Sequence, residues 1–127
     1  MSAVMLDTSA LLAYLQGENG GDKVPVNSGD ARISAVNYSE TVAVLTRRGA
    51  SAADVRAMLS SLLLDVVSFD GDAAEAAGCM ITTTNPYGLS LGDRACLAAA
   101  QKEGIPAMTA DRGWGNLDIG VPIQLIR

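Results

Sequence analysis

Short apolar segments alternate with segments of helical periodicity along this chain of 127 residues, and the alternation restricts the possible folds strongly. We predict that the apolar segments are strands, at 3–6, 31–36, 64–69, 106–109 and 122–126. We predict helices between them, at 8–15, 38–48, 52–62, 72–82 and 90–103. Strands that alternate with helices need crossover connections, which place helices on both faces of a sheet. The sequence therefore predicts an α/β fold: one α/β/α domain over residues 1–127, with a central, mostly parallel sheet of about five strands.

The composition excludes several kinds of chemistry. The chain has no histidine, which removes Ser-His-Asp hydrolysis, histidine-based RNA cleavage and nearly all zinc enzymes. Any general base must then be a carboxylate, a lysine or water bound to a metal. The net charge of −5 argues against a protein that binds nucleic acid through bulk positive charge. It is compatible with an enzyme that meets phosphate through bound metal and a few arginines.

No apolar segment approaches the roughly 20 residues of a membrane span, and none is typical of a signal peptide. We therefore expect a cytoplasmic protein without membrane contact. Cys79 and Cys96 both fall in predicted helices, and their spacing fits no zinc motif. We expect two buried, reduced thiols.

Four carboxylates lie where an apolar segment is followed by a helix or a turn: Asp7, Glu40, Asp93 and Asp111. In an alternating β/α chain these junctions gather at the C-terminal edge of the parallel strands, where open α/β folds place their sites. Each acid alone also has a structural explanation, because Asp7 suits an N-cap and Asp111 a turn. Glu40 and Asp93 each lie three residues after a capping residue, Asn37 and Ser90, as in a capping box. Four such coincidences at one sheet edge favour a shared acidic pocket.

An acidic pocket of this kind suits a divalent cation. Carboxylates without histidine favour Mg²⁺ or Mn²⁺ over zinc, and two such ions can catalyse phosphodiester hydrolysis. We expect carboxylate oxygens of Asp7, Glu40 and Asp93 within a few Å of one another or of a shared ion, with Asp111 held more loosely. Crowding should raise the pKa of at least one of them. The neighbouring hydroxyls are candidates to orient bound water or a ligand, or else helix-capping groups: Thr8, Ser9 and Thr109.

Four segments of the sequence resemble a known family. The segments that carry the resemblance are MLDTSALLA at 5–13, ISAVNYSE at 33–40, GLSLGDRACLA at 88–98 and MTADRGW at 108–114. Each is weak alone, but their order and spacing along nearly the whole chain resemble PIN-domain proteins, and among these the VapC-type toxin ribonucleases.

The resemblance implies a fold, an activity and partners. It implies a compact α/β/α domain that cleaves RNA with Mg²⁺ or Mn²⁺, often as a homodimer, and a cognate antitoxin that blocks the site. It assigns Asp7, Glu40, Asp93 and Asp111 to the acidic centre, both as catalytic residues and as metal ligands. The fourth acid varies most in that family, and Asp118 is the alternative to Asp111.

Candidates for RNA contact are Arg94 and Arg112, each adjacent to a proposed ligand, because guanidinium groups match phosphate oxygens. A salt bridge to a neighbouring acid is the alternative for both. We expect Arg47 and Arg48 to form a solvated helix end and Trp114 to serve packing rather than base stacking.

Two other functions compete with the ribonuclease. A phosphoaspartyl phosphatase also places an aspartate after its first strand, but it needs a second aspartate two residues later, where this chain has Ser9. It also needs a late lysine, and the last lysine, Lys102, lies within a predicted helix. A non-catalytic acidic binding module is the second alternative, and the presence of all four acids argues against it.

Overall fold

The computed structural model of the protein describes residues 2–127, and within them five parallel strands form one sheet. The strands are β1 (Val4–Leu6), β2 (Ala31–Ser34), β3 (Leu64–Val67), β4 (Ala107–Thr109) and β5 (Ile123–Leu125). Their order across the sheet is β3-β2-β1-β4-β5. The chain therefore builds one half of the sheet outward from β1 and then returns to β4 on its other side. Such a reversal leaves a crevice at the C-terminal edge of the two neighbouring strands.

Helices connect the strands, as the alternation predicted. They are α1 (Thr8–Leu15), α2 (Ala35–Arg47), α3 (Ala52–Ser60), α4 (Gly71–Cys79), α5 (Ile81–Thr84) and α6 (Leu91–Glu103). Short 3-10 turns occupy Gly21–Lys23, Asn85–Tyr87 and Arg112–Asn116. The first of these interrupts a stretch, 17–30, that is otherwise irregular. No helix within residues 2–127 combines the length and the apolar character needed to cross a membrane.

Side-chain caps set the starts of the longer helices, and one cap differs from the sequence prediction. The Ser34 hydroxyl accepts a hydrogen bond from the Val36 amide, so α2 begins at Ala35 and not at residue 38. The predicted capping box of Asn37 and Glu40 is therefore wrong, and both side chains are left for other contacts. The capping box of Ser90 and Asp93 at the start of α6 is confirmed.

The core lies on both faces of the sheet, because successive side chains of a strand point to opposite sides. Leu6 of β1 belongs to the apolar cluster that packs with α1, α2 and α3, whereas Met5 belongs to the cluster on the other face, with α4 and α6. Trp114 is 1% exposed in this second cluster, in agreement with the packing role expected for it.

The two cysteines differ from expectation in one respect. Both are free thiols in the described part of the chain, but only Cys96 is buried. Cys79 is exposed because α4 ends there and the buried position passes to the next residue, Met80.

The C-terminal residues are bound to the loop that follows α1. The Arg127 side chain pairs with Glu18 and donates a hydrogen bond of 2.8 Å to the Asn19 carbonyl oxygen. Gly20 has φ +85°, and a Cβ atom added to it would lie 2.2 Å from the Ile126 carbonyl oxygen. Only glycine therefore allows the tail to lie this close to the loop.

We predict that Gly20→Ala destabilises the fold substantially more than Gly17→Ala does. Both glycines have positive φ, but nothing lies within 4 Å of a Cβ at Gly17. Gly17→Ala should thus cost only the backbone strain, about 1–2 kcal/mol, while Gly20→Ala adds a clash with backbone atoms. Urea unfolding would measure the difference, and equal losses of stability in the two variants would contradict this account of the tail.

Candidate active site

Four acidic side chains from four separate segments of the chain line one cleft of about 420 Å³. Asp7 follows β1, Glu40 lies in the second turn of α2, Asp93 lies in the first turn of α6, and Asp111 follows β4. The complete lining is Asp7, Thr8, Ser9, Leu12, Glu40, Ala43, Val44, Arg47, Ser90, Asp93 and Asp111. The structure thus brings together all four acids that the sequence singled out, although Glu40 lies inside a helix and not at a strand end.

Asp7 is the buried member of the four, with 4% of its surface exposed. One carboxylate oxygen, Oδ1, accepts hydrogen bonds from the Ala10 amide at 2.9 Å and from the Ser9 hydroxyl at 2.8 Å. The other, Oδ2, accepts one from the Thr109 hydroxyl at 2.5 Å. These donors fix the carboxylate and tie β1 and α1 to β4.

Burial raises the pKa of Asp7 to about 6, from its ordinary value of 3.8, against the lowering effect of the three hydrogen bonds. The negative charge of Asp93 raises the pKa further, but it is the smallest of the contributions. A raised pKa was expected from the sequence, but its main cause is loss of water and not crowding among the acids.

A second group of contacts positions Glu40 at the opposite wall. The Thr8 hydroxyl donates to Glu40 Oε1 at 2.6 Å. Asn37, which is 1% exposed, directs its amide nitrogen towards Glu40 Oε1, Thr8 Oγ1 and the Gly92 carbonyl oxygen, at 3.3, 3.2 and 3.1 Å. Sequence reasoning missed Asn37 because its spacing to Glu40 fitted a capping box. The signal that was available is Ser34, a better cap three residues earlier.

Gly92 completes this wall by its lack of a side chain. A Cβ atom there would lie 2.4 Å from Glu40 Oε1. The glycine therefore lets the start of α6 approach the Glu40 carboxylate.

Asp93 and Asp111 combine capping with a place in the cleft. Asp93 Oδ2 accepts a hydrogen bond from the Ser90 amide at 3.0 Å, and Asp111 Oδ1 accepts one from the Gly113 amide at 2.9 Å. The second oxygen of each carboxylate has no hydrogen-bond donor among residues 2–127. Capping and an acidic pocket were competing explanations in the sequence, and in the structure both apply to the same side chains.

The three hydroxyl residues next to the acids all contact them or each other. Thr8 donates to Glu40, and Ser9 and Thr109 donate to Asp7. Ser9 and Thr109 also lie 3.3 Å apart, oxygen to oxygen, and accept hydrogen bonds from the backbone amides of Ala110 and Asp111.

The arginines are placed differently from the sequence expectation. Arg94 donates to the carbonyl oxygens of Ala77 and Leu89, and Arg112 donates to that of Arg127, and neither lines the cleft. Among residues 2–127, neither forms the salt bridge considered as an alternative. Arg47, expected to be only a solvated helix end, does line the cleft.

Asp118, the alternative fourth acid, is exposed and is not among the lining residues, whereas Asp111 is.

The cleft offers oxygen donors that fit a hard divalent cation. Its titratable lining consists of four carboxylates and Arg47, with three hydroxyls and no nitrogen or sulfur ligand. Within residues 2–127, however, no three acidic or thiol side chains lie close enough to hold an ion together. The carboxylates of Asp7, Glu40 and Asp93 therefore do not form a direct cluster in the described residues, and their convergence on a shared ion stays a prediction. Mg²⁺ typically binds one or two carboxylates and keeps several waters, so the donor set still fits such an ion.

We predict that Asp7→Asn stabilises the fold at pH 8 in the presence of a chelator but not at pH 4. A carboxyl whose pKa is higher in the folded than in the unfolded state binds more protons when folded, so stability falls as the pH rises from 3.8 through about 6. An asparagine at position 7 carries no charge and so avoids this loss of stability, which is on the order of 3 kcal/mol above pH 6. Urea unfolding at a series of pH values would measure the difference. Asp65→Asn, at an exposed position of β3, is the control and should show no such trend. A pH-independent difference between wild type and Asp7→Asn would refute the buried, raised-pKa carboxyl.

Comparisons with known proteins identify the family. The sequence matches the PIN domain over residues 4–120. No curated protein matches the sequence. The fold is similar to that in the DNA-bound VapBC structure of Salmonella typhimurium, with a TM-score of 0.76 and 18% identity over 100% of both chains. It is similar to a toxin–antitoxin complex from Klebsiella pneumoniae, with a TM-score of 0.72 and 19% identity over 98% of each chain.

A third similar structure is VapC20 of Mycobacterium tuberculosis, described as a toxin that cleaves the sarcin–ricin loop. Its TM-score is 0.69 at 20% identity, over 94% of this chain and 99% of that one. Identity this low shows a shared fold, and the family rests on the match of the sequence itself. The chain belongs to the PIN domain family, and its structural neighbours are VapC toxins of VapBC toxin–antitoxin systems.

Proposed function

We propose that the protein is a Mg²⁺- or Mn²⁺-dependent endoribonuclease, the toxin of a toxin–antitoxin pair. The observation that carries this proposal is the convergence of Asp7, Glu40, Asp93 and Asp111 on one cleft of a PIN domain. The cleft holds no histidine, so hydrolysis there depends on carboxylates. Single-stranded or looped RNA is the proposed substrate, because an open cleft admits a strand whose backbone is accessible.

The four carboxylates share one proposed role, and neighbouring hydroxyl groups support it. Asp7, Glu40, Asp93 and Asp111 would hold the cation, directly or through water molecules that the cation keeps, and the cation would supply positive charge that activates water and stabilises the charge developing on the phosphate. Ser9 and Thr109 orient the Asp7 carboxylate by hydrogen bonds.

Glu40 depends on two further side chains. Thr8 and Asn37 hold Glu40 against the other wall of the cleft. Such supporting contacts fix the direction of each ligand oxygen before substrate arrives.

The structural neighbours support the proposal of a protein partner. Two of them are toxin–antitoxin complexes, which supports a cognate antitoxin protein for this chain. We also propose a homodimer and one PIN-like domain over residues 1–127.

We predict that Asp93→Asn and Asp7→Asn each lower RNA cleavage by more than about 100-fold, the upper end of what loss of an outer-shell partner costs a metal site. The amides keep the volume and remove the charge that the cation needs. Cleavage of labelled RNA with Mg²⁺ or Mn²⁺ would measure the effect, and chelator should abolish the wild-type activity.

Arg56→Ala, on α3 and outside the cleft, is the control and should cleave as the wild type does. Thermal melts would show that each variant folds, and wild-type melting should rise with millimolar metal by mass action. Activity that survives chelation, or full activity of Asp93→Asn, would overturn the proposal and favour the acidic binding module.

We predict that Gly92→Ala lowers cleavage without lowering stability. The added Cβ displaces the Glu40 carboxylate, which lies at the end of a flexible side chain and can move at little cost to the fold. Alanine also suits a helix better than glycine, by up to about 1 kcal/mol. Activity and melting temperature would be measured together, with Gly78→Ala as the control. Gly78 lies within α4 and has nothing within 4 Å of an added Cβ. Unchanged activity in Gly92→Ala would show that the close approach to Glu40 has no function.

A further inference from the structure

One face of α2 forms a wall of the acidic cleft and ends in a positive charge. Glu40, Ala43, Val44 and Arg47 all line the cleft from this helix. Their spacing of three and four residues places them on a single helical face. The wall therefore runs from an acid, over two small apolar residues, to an arginine.

Arg47 is the one cation among the cleft's lining residues within the described chain, out of nine lysines and arginines in the sequence. The ion pairs formed within residues 2–127 are Arg32 with Glu103 and Arg127 with Glu18. Arg47 therefore lies beside four carboxylates without pairing with any of them. Arg47 is exposed, and within residues 2–127 its guanidinium donates no hydrogen bond to another residue, so its five N–H donors are free to bind a ligand.

The separation along α2 explains why Arg47 does not pair with Glu40. Arg47 lies seven positions after Glu40, which corresponds to ~10 Å along the helix axis. Ala43 and Val44 lie between them on α2, and Leu12 of α1 is a further apolar residue that lines the cleft. An anion that reaches Arg47 thus lies well apart from one held at the acids.

We propose that Arg47 binds a backbone phosphate that flanks the scissile phosphate, so that the preferred substrate is an RNA strand extending beyond one phosphodiester. This inference rests on the proposed ribonuclease function. A guanidinium fork matches two phosphate oxygens, and the apolar surface of Ala43 and Val44 is suited to contact a ribose or base between the two phosphates. Arg47 is then a positioning residue: it aligns the strand, and the acids act on it.

The test is a comparison of Arg47→Ala with Arg48→Ala. Arg48 is the next residue, exposed and at the same helix end, but it does not line the cleft. Both substitutions remove one positive charge near the helix C-terminus, so effects on net charge and on the helix dipole cancel in the comparison. Arg47→Lys keeps the positive charge but loses the planar guanidinium group that can bind two phosphate oxygens at once.

The expected result is a rise of about 10-fold in KM for an oligoribonucleotide in Arg47→Ala, with a much smaller change in kcat. Arg48→Ala should match the wild type, and Arg47→Lys should recover part of the loss. The rise should be smaller for a dinucleotide that contains a single phosphodiester. A purely structural role for Arg47 would change both substrates alike.

Binding separates this inference from the function on which it rests. On an Asp93→Asn background, the affinity for a single-stranded oligoribonucleotide should depend on salt, with a slope of log K against log salt about 0.7 smaller once Arg47 becomes alanine. If the wild type cleaves RNA but Arg47→Ala and Arg48→Ala bind and cleave equally, the role of Arg47 is overturned and the ribonuclease stands. If the wild type does not cleave RNA, the function fails, and RNA binding sensitive to Arg47 alone would still support a phosphate site. Absence of both cleavage and binding overturns both.

Discussion

The burial of one carboxylate organises the cleft. Asp7 ends the central strand of the sheet, caps α1 and accepts hydrogen bonds from residues of both β1–α1 and β4. A buried acid without water needs such donors, and three of them are present. Because Asp7 directly follows β1 and Thr109 ends β4, the hydrogen bond between them fixes the ends of these two neighbouring strands relative to each other. Glu40 and Asp93 lie on α2 and α6, and Asp111 lies in the turn that follows β4.

Capping explains how two of the other carboxylates, Asp93 and Asp111, come to lie at the sheet edge. Asp93 and Asp111 each use one oxygen to satisfy a backbone amide at the start of a helix or turn, and the other oxygen is left for the cleft. The start of a helix after a strand is also the place where a ligand meets an α/β sheet. Local folding rules and the site therefore place acids at the same positions, which is why sequence reasoning had to weigh them as alternatives.

Most of the fold and the four acids follow from the sequence, because alternation and spacing are local signals. The strand order, the all-parallel pairing and the loose spacing of the acids do not, since they depend on contacts between distant segments. Asn37 is an example: its neighbours in sequence suggest a cap, but its partners are Thr8 and Gly92. Arg94 is another, because adjacency to Asp93 suggested a ligand contact, and a helix turn directs its side chain to carbonyl oxygens instead.

The attachment of the C-terminal tail connects the end of the chain to Asp111, one of the two exposed acids of the cleft. Arg127 contacts the loop after α1 through its side chain, and its carbonyl oxygen accepts a hydrogen bond from Arg112, the residue next to Asp111. Segments joined in this way tend to open together as one cooperative unit in amide hydrogen exchange. Release of the tail from Gly20 would loosen the turn that carries Asp111, while Asp7 stays at the end of β1 and Glu40 and Asp93 stay on α2 and α6. The fourth carboxylate thus belongs to a unit whose local stability is set by residues more than a hundred positions apart in the sequence.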